Sequence, residues 1–336
     1  MNIFGKEYTR EELLRYSNPP SNLYGARRVE IADGRARGQR YIEVKTSGGL
    51  RACISEDRCL DIVDLEYRGV NLGYLTKNGH VATGPASCEV HSFRRYYMGG
   101  FVNTCGLRNT GFTCNVDGEF FPVHGHIGLT PANHVNINVS EEEIVISGKM
   151  FETAFGGWCL EMERTITIPS DGARVTVKDV INNLTSTPEI ILFMYHINFG
   201  FPFLSEALII EYPQAEKVIG HPLMPASEEN FDKRMEITPP KDGDPEMCYS
   251  HFLKNEEAIV SLFNESLQLK GRLSFDGGKL PILTQWKSLR PGDYAFGLEP
   301  GNSRLRNREN ELKDGYDTKV AGHGSLEYGF TFNIGE

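Results

Sequence analysis

The sequence predicts an all-β protein, a large antiparallel β-sandwich with one short N-terminal helix. Three observations support this fold class. Apolar and polar residues alternate with a period of two along many short runs, turn-like pieces rich in glycine, proline and aspartate separate these runs, and no amphipathic helices lie between them. Strands joined by turns form antiparallel sheets, and 35 glycines in 336 residues can supply the corners of a sandwich.

The one strong helical signal lies near the N-terminus. Thr9 and Glu12 have the spacing of a capping box, apolar residues follow, and Pro19 stops the helix soon afterwards. No linker or composition break divides the rest of the chain. We therefore expect a single domain over residues 1–336, with residues 1–40 as an N-terminal extension packed on it.

Strands are expected where apolar residues recur at every second position or form a short continuous run. The expected strands cover residues 41–46, 143–147, 160–168, 174–181, 190–194, 258–263, 267–275 and 326–333. Arg164 is the polar exception on the apolar face of its strand. The polar stretch 226–247 predicts a long surface loop, a kind of segment that often borders a binding site.

Composition excludes several classes of protein. The formal net charge is −10 and the 35 basic residues are scattered, which argues against nucleic-acid binding. No stretch approaches the roughly 18 apolar residues of a membrane span, and the N-terminus has no apolar leader, so we expect a cytoplasmic protein without a membrane partner. Seven cysteines lack any CxxC pair, which favours free thiols over a zinc ribbon. A homo-oligomer stays open.

Three short motifs carry candidate chemistry. His196 follows the apolar run 190–194 in YHINFG, His124 and His126 lie in PVHGHIG, and Glu299 lies in FGLEP. A carboxylate and several imidazoles at the ends of strands can move protons on a polar, uncharged substrate. These motifs predict sugar chemistry.

The order of these motifs resembles that of the galactose mutarotase-like superfamily. In aldose 1-epimerases, an early histidine lies in an HGG-like motif, a later one in an H-x-x-F motif, and the base glutamate in an LEP-type segment. The counterparts here are His124, His196 and Glu299. The chain is more closely similar to the uncharacterised DUF4432-type branch of aldose 1-epimerase family proteins, through EDRCLDI, GGFVNTCGLRNTG, VHGHIGLTPA and LPILTQWKSLRPGDYAFGLEP.

The resemblance implies an isomerase that opens and recloses the hemiacetal ring of a monosaccharide without a cofactor. Glu299 would take the proton of the anomeric hydroxyl, and a cationic His196 would give one to the ring oxygen. The two should face each other over a ring-sized hollow, with His124 beside them. The residues expected to bind the substrate are His124, His126, Arg58, Arg108, Asn103, Trp286 and Asn198.

The sequence also departs from the epimerase pattern. The family carries an aspartate in a D-H-x-F-like motif, whereas residues 249–252 read Tyr-Ser-His-Phe. His126 replaces a glycine and creates an HxH spacing that would put both imidazoles on one face of a strand. An alternative is therefore a metal-dependent sugar isomerase with His124, His126, His196 and Glu299 as ligands of a divalent metal.

Other interpretations remain open on the sequence alone. A third possibility for the whole chain is a non-catalytic carbohydrate-binding protein, because mutarotase-like sandwiches also occur as accessory domains. Arg58 could instead pair with Asp57 or Asp61, and Trp286 could be a core residue rather than a platform for a sugar ring.

Overall fold

The structure is a computed structural model that describes residues 1–3, 5–83 and 90–335. Its α-helices are α1 (Arg10–Tyr16), α2 (Val90–Tyr96), α3 (Pro225–Glu229) and α4 (Arg308–Lys313), and single 3₁₀ turns cover Pro20–Asn22, Gly34–Ala36, Ile127–Leu129 and Phe231–Lys233. None of the described helices combines the length and the apolar character that a bilayer crossing requires.

The strands are, in chain order, β1 (Asn2–Ile3), β2 (Lys6–Glu7), β3 (Gly25–Glu30), β4 (Arg40–Lys45), β5 (Leu50–Ser55), β6 (Asp61–Tyr67), β7 (Val70–Asn71), β8 (Val102–Cys105), β9 (Cys114–Val116), β10 (Glu119–Phe121), β11 (Asn133–Val139), β12 (Glu143–Thr153), β13 (Cys159–Pro169), β14 (Arg174–Asn183), β15 (Glu189–Ile190), β16 (Met194–Gly200), β17 (Leu208–Glu211), β18 (Ala215–Gly220), β19 (Met247–Leu253), β20 (Glu257–Asn264), β21 (Leu269–Asp276), β22 (Ile282–Arg290), β23 (Asp293–Gly301), β24 (Lys319–Val320) and β25 (Ser325–Gly335).

Three large antiparallel sheets dominate the architecture. The eight-stranded sheet has the order β11-β12-β13-β14-β25-β21-β20-β17, the six-stranded sheet β18-β19-β22-β23-β16-β8, and the five-stranded sheet β3-β4-β5-β6-β7. Two-stranded pairs join β1 to β2, β9 to β10 and β15 to β24. The predicted all-β antiparallel fold is thus confirmed, and β3 adds residues of the expected N-terminal extension to a sheet.

The six-stranded and eight-stranded sheets pack face to face through aromatic side chains. Tyr195 of β16 meets Phe330 of β25 with ring centroids 5.0 Å apart, and Phe199 meets Phe332 at 5.8 Å. Alternation along β16 places these side chains in the core and the residues between them on the opposite face. The six-stranded sheet therefore has one face turned to the core and a second face free to build a site.

Local sequence explains the first helix. Thr9 Oγ1 accepts a hydrogen bond from the backbone N–H of Glu12 at 3.2 Å, and Glu12 Oε2 accepts one from the backbone N–H of Thr9 at 2.8 Å. This reciprocal pair satisfies two donors that a helix start leaves open, so the predicted capping box is confirmed. The helices α2, α3 and α4 were not predicted.

The strand expected at residues 190–194 is wrong. β15 ends at Ile190 and β16 begins at Met194, so His196 is the third residue of a strand rather than the residue after one. The N–H groups between the two strands bond to three different segments, with Ile191 donating to Thr318, Leu192 to Leu107, and Phe193 to the Asn302 side chain. A buried apolar run is indistinguishable from a strand by pattern alone.

The described cysteines are free thiols, as expected. Cys59, Cys105, Cys114 and Cys248 are buried, and Cys53 and Cys159 are half-buried. Cys88 lies outside the described residues.

Candidate active site

The candidate site is a row of polar side chains across the second face of the six-stranded sheet. The register of β16 and β23 pairs Met194 with Gly301 and Ile197 with Leu298, which sets His196 opposite Glu299. Residues opposite each other in antiparallel strands share a face. Strand pairing extends this row to Asn103 on one side, and to Thr284 and Ser250 on the other. The pairs are His196 with Asn103, Glu299 with Thr284, and Thr284 with Ser250.

His196 and Glu299 form the centre of this row. Nε2 of His196 lies 3.2 Å from Oε1 of Glu299, and the two side chains are 4% and 0% exposed. The atoms are close enough for an ion pair but are not aligned for a hydrogen bond, and neither oxygen of the carboxyl group receives a donor from the described residues. Buried polar atoms normally have partners, so an unpartnered carboxyl group beside an imidazole is typical of a functional site.

Glycine at position 297 allows the Glu299 carboxyl group to occupy this place. A Cβ atom at Gly297 would lie 2.5 Å from Glu299 Oε1 and 3.1 Å from Cβ of Trp286. Such contacts are too short for any side chain, so Glu299 would have to move. Gly297 therefore helps to position the carboxyl group of Glu299, because it leaves space for it.

His124 lies beside the central pair but not on the sheet. Its backbone has a φ of 62°, in a turn that ends with Gly125, and its ring centroid is 5.5 Å from that of His196 in an edge-to-face contact. Nδ1 of His124 and Nδ1 of His196 are both buried without a hydrogen-bond partner among the described residues. The structure thus brings together the three residues that the motifs singled out.

Aromatic rings cover the pair. Trp286 meets His196 edge-to-face at 5.4 Å, and the ring of Tyr97 lies 6.2 Å from that of His196. Trp286 donates a hydrogen bond from Nε1 to Glu246 Oε1 at 2.8 Å, which ties it to the end of the loop expected over residues 226–247. Trp286 therefore flanks the pair.

In the part of the chain that the structure describes, the expected ring-sized hollow is not seen over the pair, since both of its side chains are almost fully buried. A cavity of about 30 Å³ lies next to it, lined among others by Arg58, Tyr97, Asn103 and His124. This volume holds about one water molecule and is too small for a sugar ring.

Burial sets the protonation of the central pair. It raises the pKa of Glu299 well above the usual 4.5, and the carboxylate of Glu246 adds to this shift. Burial also lowers the pKa of His196 well below 6.5, and the neighbouring His124 lowers it further. The closed pair therefore favours a neutral carboxyl group beside a neutral imidazole, in contrast to the carboxylate and cationic imidazole that we expected.

Asn103, Arg58 and Asn198, which were also predicted to bind the substrate, lie near the pair. Asn103 is opposite His196 in the sheet, and its amide donates to Cys105 Sγ at 3.5 Å. Arg58 lines the small cavity, but its Nη2 donates to the carbonyl oxygens of Val81 and Tyr96, so it holds the chain next to the cover. The partners of Arg58 Nη2 are thus backbone carbonyl groups and not the carboxylates of Asp57 or Asp61.

Asn198 shares the face of His196 but serves the backbone. Its amide nitrogen donates to the carbonyl oxygens of Gly100 and His196, while Oδ1 is buried without a partner among the described residues. These bonds fix β16 against the chain before β8. The geometry thus gives Asn198 a supporting position below the pair.

Arg108 and His126 belong to a different cluster. Arg108 lies over the Trp158 ring at 3.6 Å and pairs with Glu119 and with Glu189, whose Oε2 is 3.1 Å from Nε. The guanidinium group is thereby occupied, and no contact between it and the central pair is found in the described part of the chain. The sequence could not separate this role from sugar binding, because the partner carboxylates are distant in the chain.

The HxH segment is not a strand. His124 lies in a turn with positive φ, and His126 has φ −102° and ψ −25° immediately before a 3₁₀ turn. The expectation that both imidazoles share a strand face is therefore wrong. In residues 5–83 and 90–335, no group of three or more His, Cys, Asp or Glu side chains is arranged to hold a metal ion. The four-ligand metal alternative gains no support from this geometry.

Sequence reasoning missed two hydroxyl groups at the site. They belong to Thr284 and Tyr97. Thr284 lies two residues before Trp286 on β22, so the period-two alternation in LTQW could have placed Thr284 on the same face as Trp286. Tyr97 follows α2 and reaches the pair from outside the sheet, and its sequence context carries no signal for that position.

Solved structures share this fold at low sequence identity. A putative aldose 1-epimerase from Klebsiella pneumoniae superposes with a TM-score of 0.85 at 21% identity, over 93% of this chain and 83% of the other. A galactose mutarotase-like protein from Clostridium acetobutylicum gives 0.66 at 13%, over 94% and 99% of the two chains. Galactose 1-epimerase from Lactobacillus acidophilus gives 0.59 at 10%, over 93% and 99%. No curated protein sequence matches the chain.

These similarities establish a galactose mutarotase-like fold and leave the chemistry to the residues of the site. The family assignment comes from the sequence. The model of a family described as a domain of unknown function, DUF4432, matches residues 36–334, which include every member of the polar row. The chain belongs to the DUF4432 family.

Proposed function

We propose that this protein is an aldose 1-epimerase-like isomerase that interconverts the anomers of a monosaccharide by opening and reclosing its ring. One observation carries the proposal. The buried pair of His196 and Glu299 lies on adjacent strands, next to the imidazole of His124. Both carboxyl oxygens of Glu299 and Nδ1 of His196 have no hydrogen-bond partner among the described residues. The shared fold with proteins described as galactose 1-epimerase and putative aldose 1-epimerase supports the same conclusion.

The pair carries one proton in all, and that suits the reaction. Ring opening begins with Glu299 as carboxylate and His196 as cation. The carboxylate takes the proton of the anomeric hydroxyl, the C1–O5 bond breaks, and the imidazolium gives its proton to the ring oxygen. The products are the open-chain aldehyde, a neutral Glu299 and a neutral His196. Reclosure after rotation about the C1–C2 bond reverses both transfers and yields the other anomer.

The neutral state of the pair, which burial favours, is thus the state that exists while the sugar is in its open-chain form. Substrate hydroxyl groups that donate to the carboxylate would favour its ionised form and return the pair to the state that opens the ring. The two protonation states of the pair differ only in which residue holds the single proton, so neither role requires a proton from solvent.

A direct assay tests the proposal. Freshly dissolved α-anomers of uncharged aldoses are followed by polarimetry or exchange NMR, with and without the wild-type protein, and each assay is repeated after chelator treatment. We expect at least one aldose to equilibrate faster than its uncatalysed blank, with no effect of the chelator. A chelator-sensitive rate would favour the metal-dependent isomerase, and a sugar-induced rise in Tm without turnover would favour a carbohydrate-binding protein.

The pKa shifts predict the acid limb of the rate profile. The active, singly protonated pair is lost when a second proton binds at acidic pH, and this step follows the depressed pKa of His196. Because that pKa lies well below 6.5, kcat/KM should not decline as the pH falls from 7 to 6, after subtraction of the uncatalysed rate. A decline with its midpoint at or above 6.5 would contradict the burial argument.

A further inference from the structure

Among the described residues, two hydroxyl groups near the central pair are buried and lack a hydrogen-bond partner. They are Oη of Tyr97 and Oγ1 of Thr284, and no donor or acceptor among the described residues reaches either. Folded proteins seldom leave buried polar atoms unpaired, and those that persist often serve a ligand. The proposed proton transfers use neither hydroxyl.

Thr284 lies on the glutamate side of the pair. It is 0% exposed and stands directly across from Glu299 in the register of β22 and β23. Its hydroxyl group therefore projects from the same face, next to the carboxyl group and on the side away from His196. A substrate oxygen that reaches Glu299 comes within range of this donor.

Tyr97 reaches the pair from outside the sheet. Its ring is 6.2 Å from that of His196 and 6.3 Å from that of His124, and it stacks on Phe93 at 4.9 Å. The carbonyl oxygen of Tyr97 accepts hydrogen bonds from Oγ1 of Thr76 at 2.9 Å and from Nδ2 of Asn78 at 2.8 Å. The backbone is thus anchored, while the hydroxyl oxygen is enclosed although part of the ring remains at the surface.

We propose that the hydroxyl groups of Tyr97 and Thr284 bind oxygens of the substrate beside the His196–Glu299 pair. They would select a ligand that carries hydroxyl groups next to its hemiacetal carbon and ring oxygen. This inference rests on the proposed function and names which side chains confer its substrate preference.

Tyr97→Phe and Thr284→Val test it, since both remove a hydroxyl group and keep the shape of the side chain. Tyr212→Phe is the matched control. The Tyr212 hydroxyl is also buried without a partner among the described residues, but its ring stacks on His251, on the other face of the sheet. All three variants should unfold at the wild-type Tm or above it, because each loses an unsatisfied polar group.

The site variants should differ from the control in substrate affinity. We expect KM to rise about tenfold in Tyr97→Phe and in Thr284→Val, a change of about 1.4 kcal/mol, with KM unchanged in Tyr212→Phe. A series of deoxy sugars locates each contact, since the sugar that lacks the bound hydroxyl should show the same KM with wild type and with the corresponding variant.

The outcomes separate this inference from the proposed function. If wild type turns over an aldose and both site variants keep its KM, the inference is wrong and the isomerase proposal stands. If no sugar is turned over, the same variants are compared by the sugar-induced rise in Tm, which they should lose if the hydroxyls bind a ligand. Failure of every sugar to react or to raise the Tm of wild type would overturn both.

Discussion

Glu299→Gln and His196→Ala should each lower kcat for ring opening by about 10²- to 10⁴-fold, which corresponds to roughly 3–5 kcal/mol of barrier. Glutamine keeps the size of the side chain but cannot accept the anomeric proton, and alanine leaves no group that can protonate the ring oxygen. Since the two proton transfers are needed in the same ring-opening step, the double variant should be little slower than either single variant. Polarimetry under saturating sugar measures these rates.

Two matched controls keep this test from measuring stability alone. His251→Ala removes another buried imidazole of the same sheet, one that bonds to Gln285 at 3.0 Å on the opposite face. Glu152→Gln alters a buried carboxyl group that accepts the backbone N–H of Leu107 at 3.1 Å. Both should leave kcat within a few-fold of wild type when it is normalised to folded protein. Full activity in Glu299→Gln would remove the proposed base.

The motifs located the residues of the site but not how close they lie. His196 and Glu299 are far apart in the chain, and each alone is more typical of an ordinary structural residue. Their order relative to the HG-containing segment indicated a common site, and the register of β16 with β23 then sets them opposite each other. Register depends on the whole hydrophobic pattern of both strands, which short motifs do not contain.

The differences between expectation and structure have equally specific causes. The HxH segment lacks strand geometry because Gly106 and Gly125 bring two chain segments into direct backbone contact, and a Cβ at Gly125 would lie 2.1 Å from the Gly106 carbonyl oxygen. Arg108 was expected to bind the sugar, but its guanidinium group is paired with the carboxylates of Glu119 and Glu189. Both outcomes depend on long-range contacts, whereas composition and period-two alternation are local and predicted the sheets well.

Arg164, the polar exception of its strand, should be the side chain on which stability depends most. It is 1% exposed and pairs with Asp61 and with Asp179, each at 2.7 Å. The Tyr195 hydroxyl donates to the same Asp179 at 2.7 Å, which links this network to the residue before His196. Arg164→Met should lower the free energy of unfolding by about 3–5 kcal/mol, because it leaves two buried carboxylates without their cation. Urea unfolding with an unchanged m-value measures the loss.

The loss in free energy of unfolding arises because two buried carboxylates are left without a cation, rather than because one favourable ion pair is removed. Two comparisons distinguish these causes. Arg27→Ala breaks an exposed pair with Glu43 and should cost less than about 1 kcal/mol. The triple variant Asp61→Asn, Arg164→Met, Asp179→Asn removes all three charges, so it should recover much of the lost stability. A triple variant no more stable than Arg164→Met would contradict this cause and indicate that the guanidinium hydrogen bonds to Thr104 and to the Cys59 carbonyl oxygen dominate instead. Because Thr104 directly follows Asn103 in β8, that outcome would also couple the network directly to the polar row.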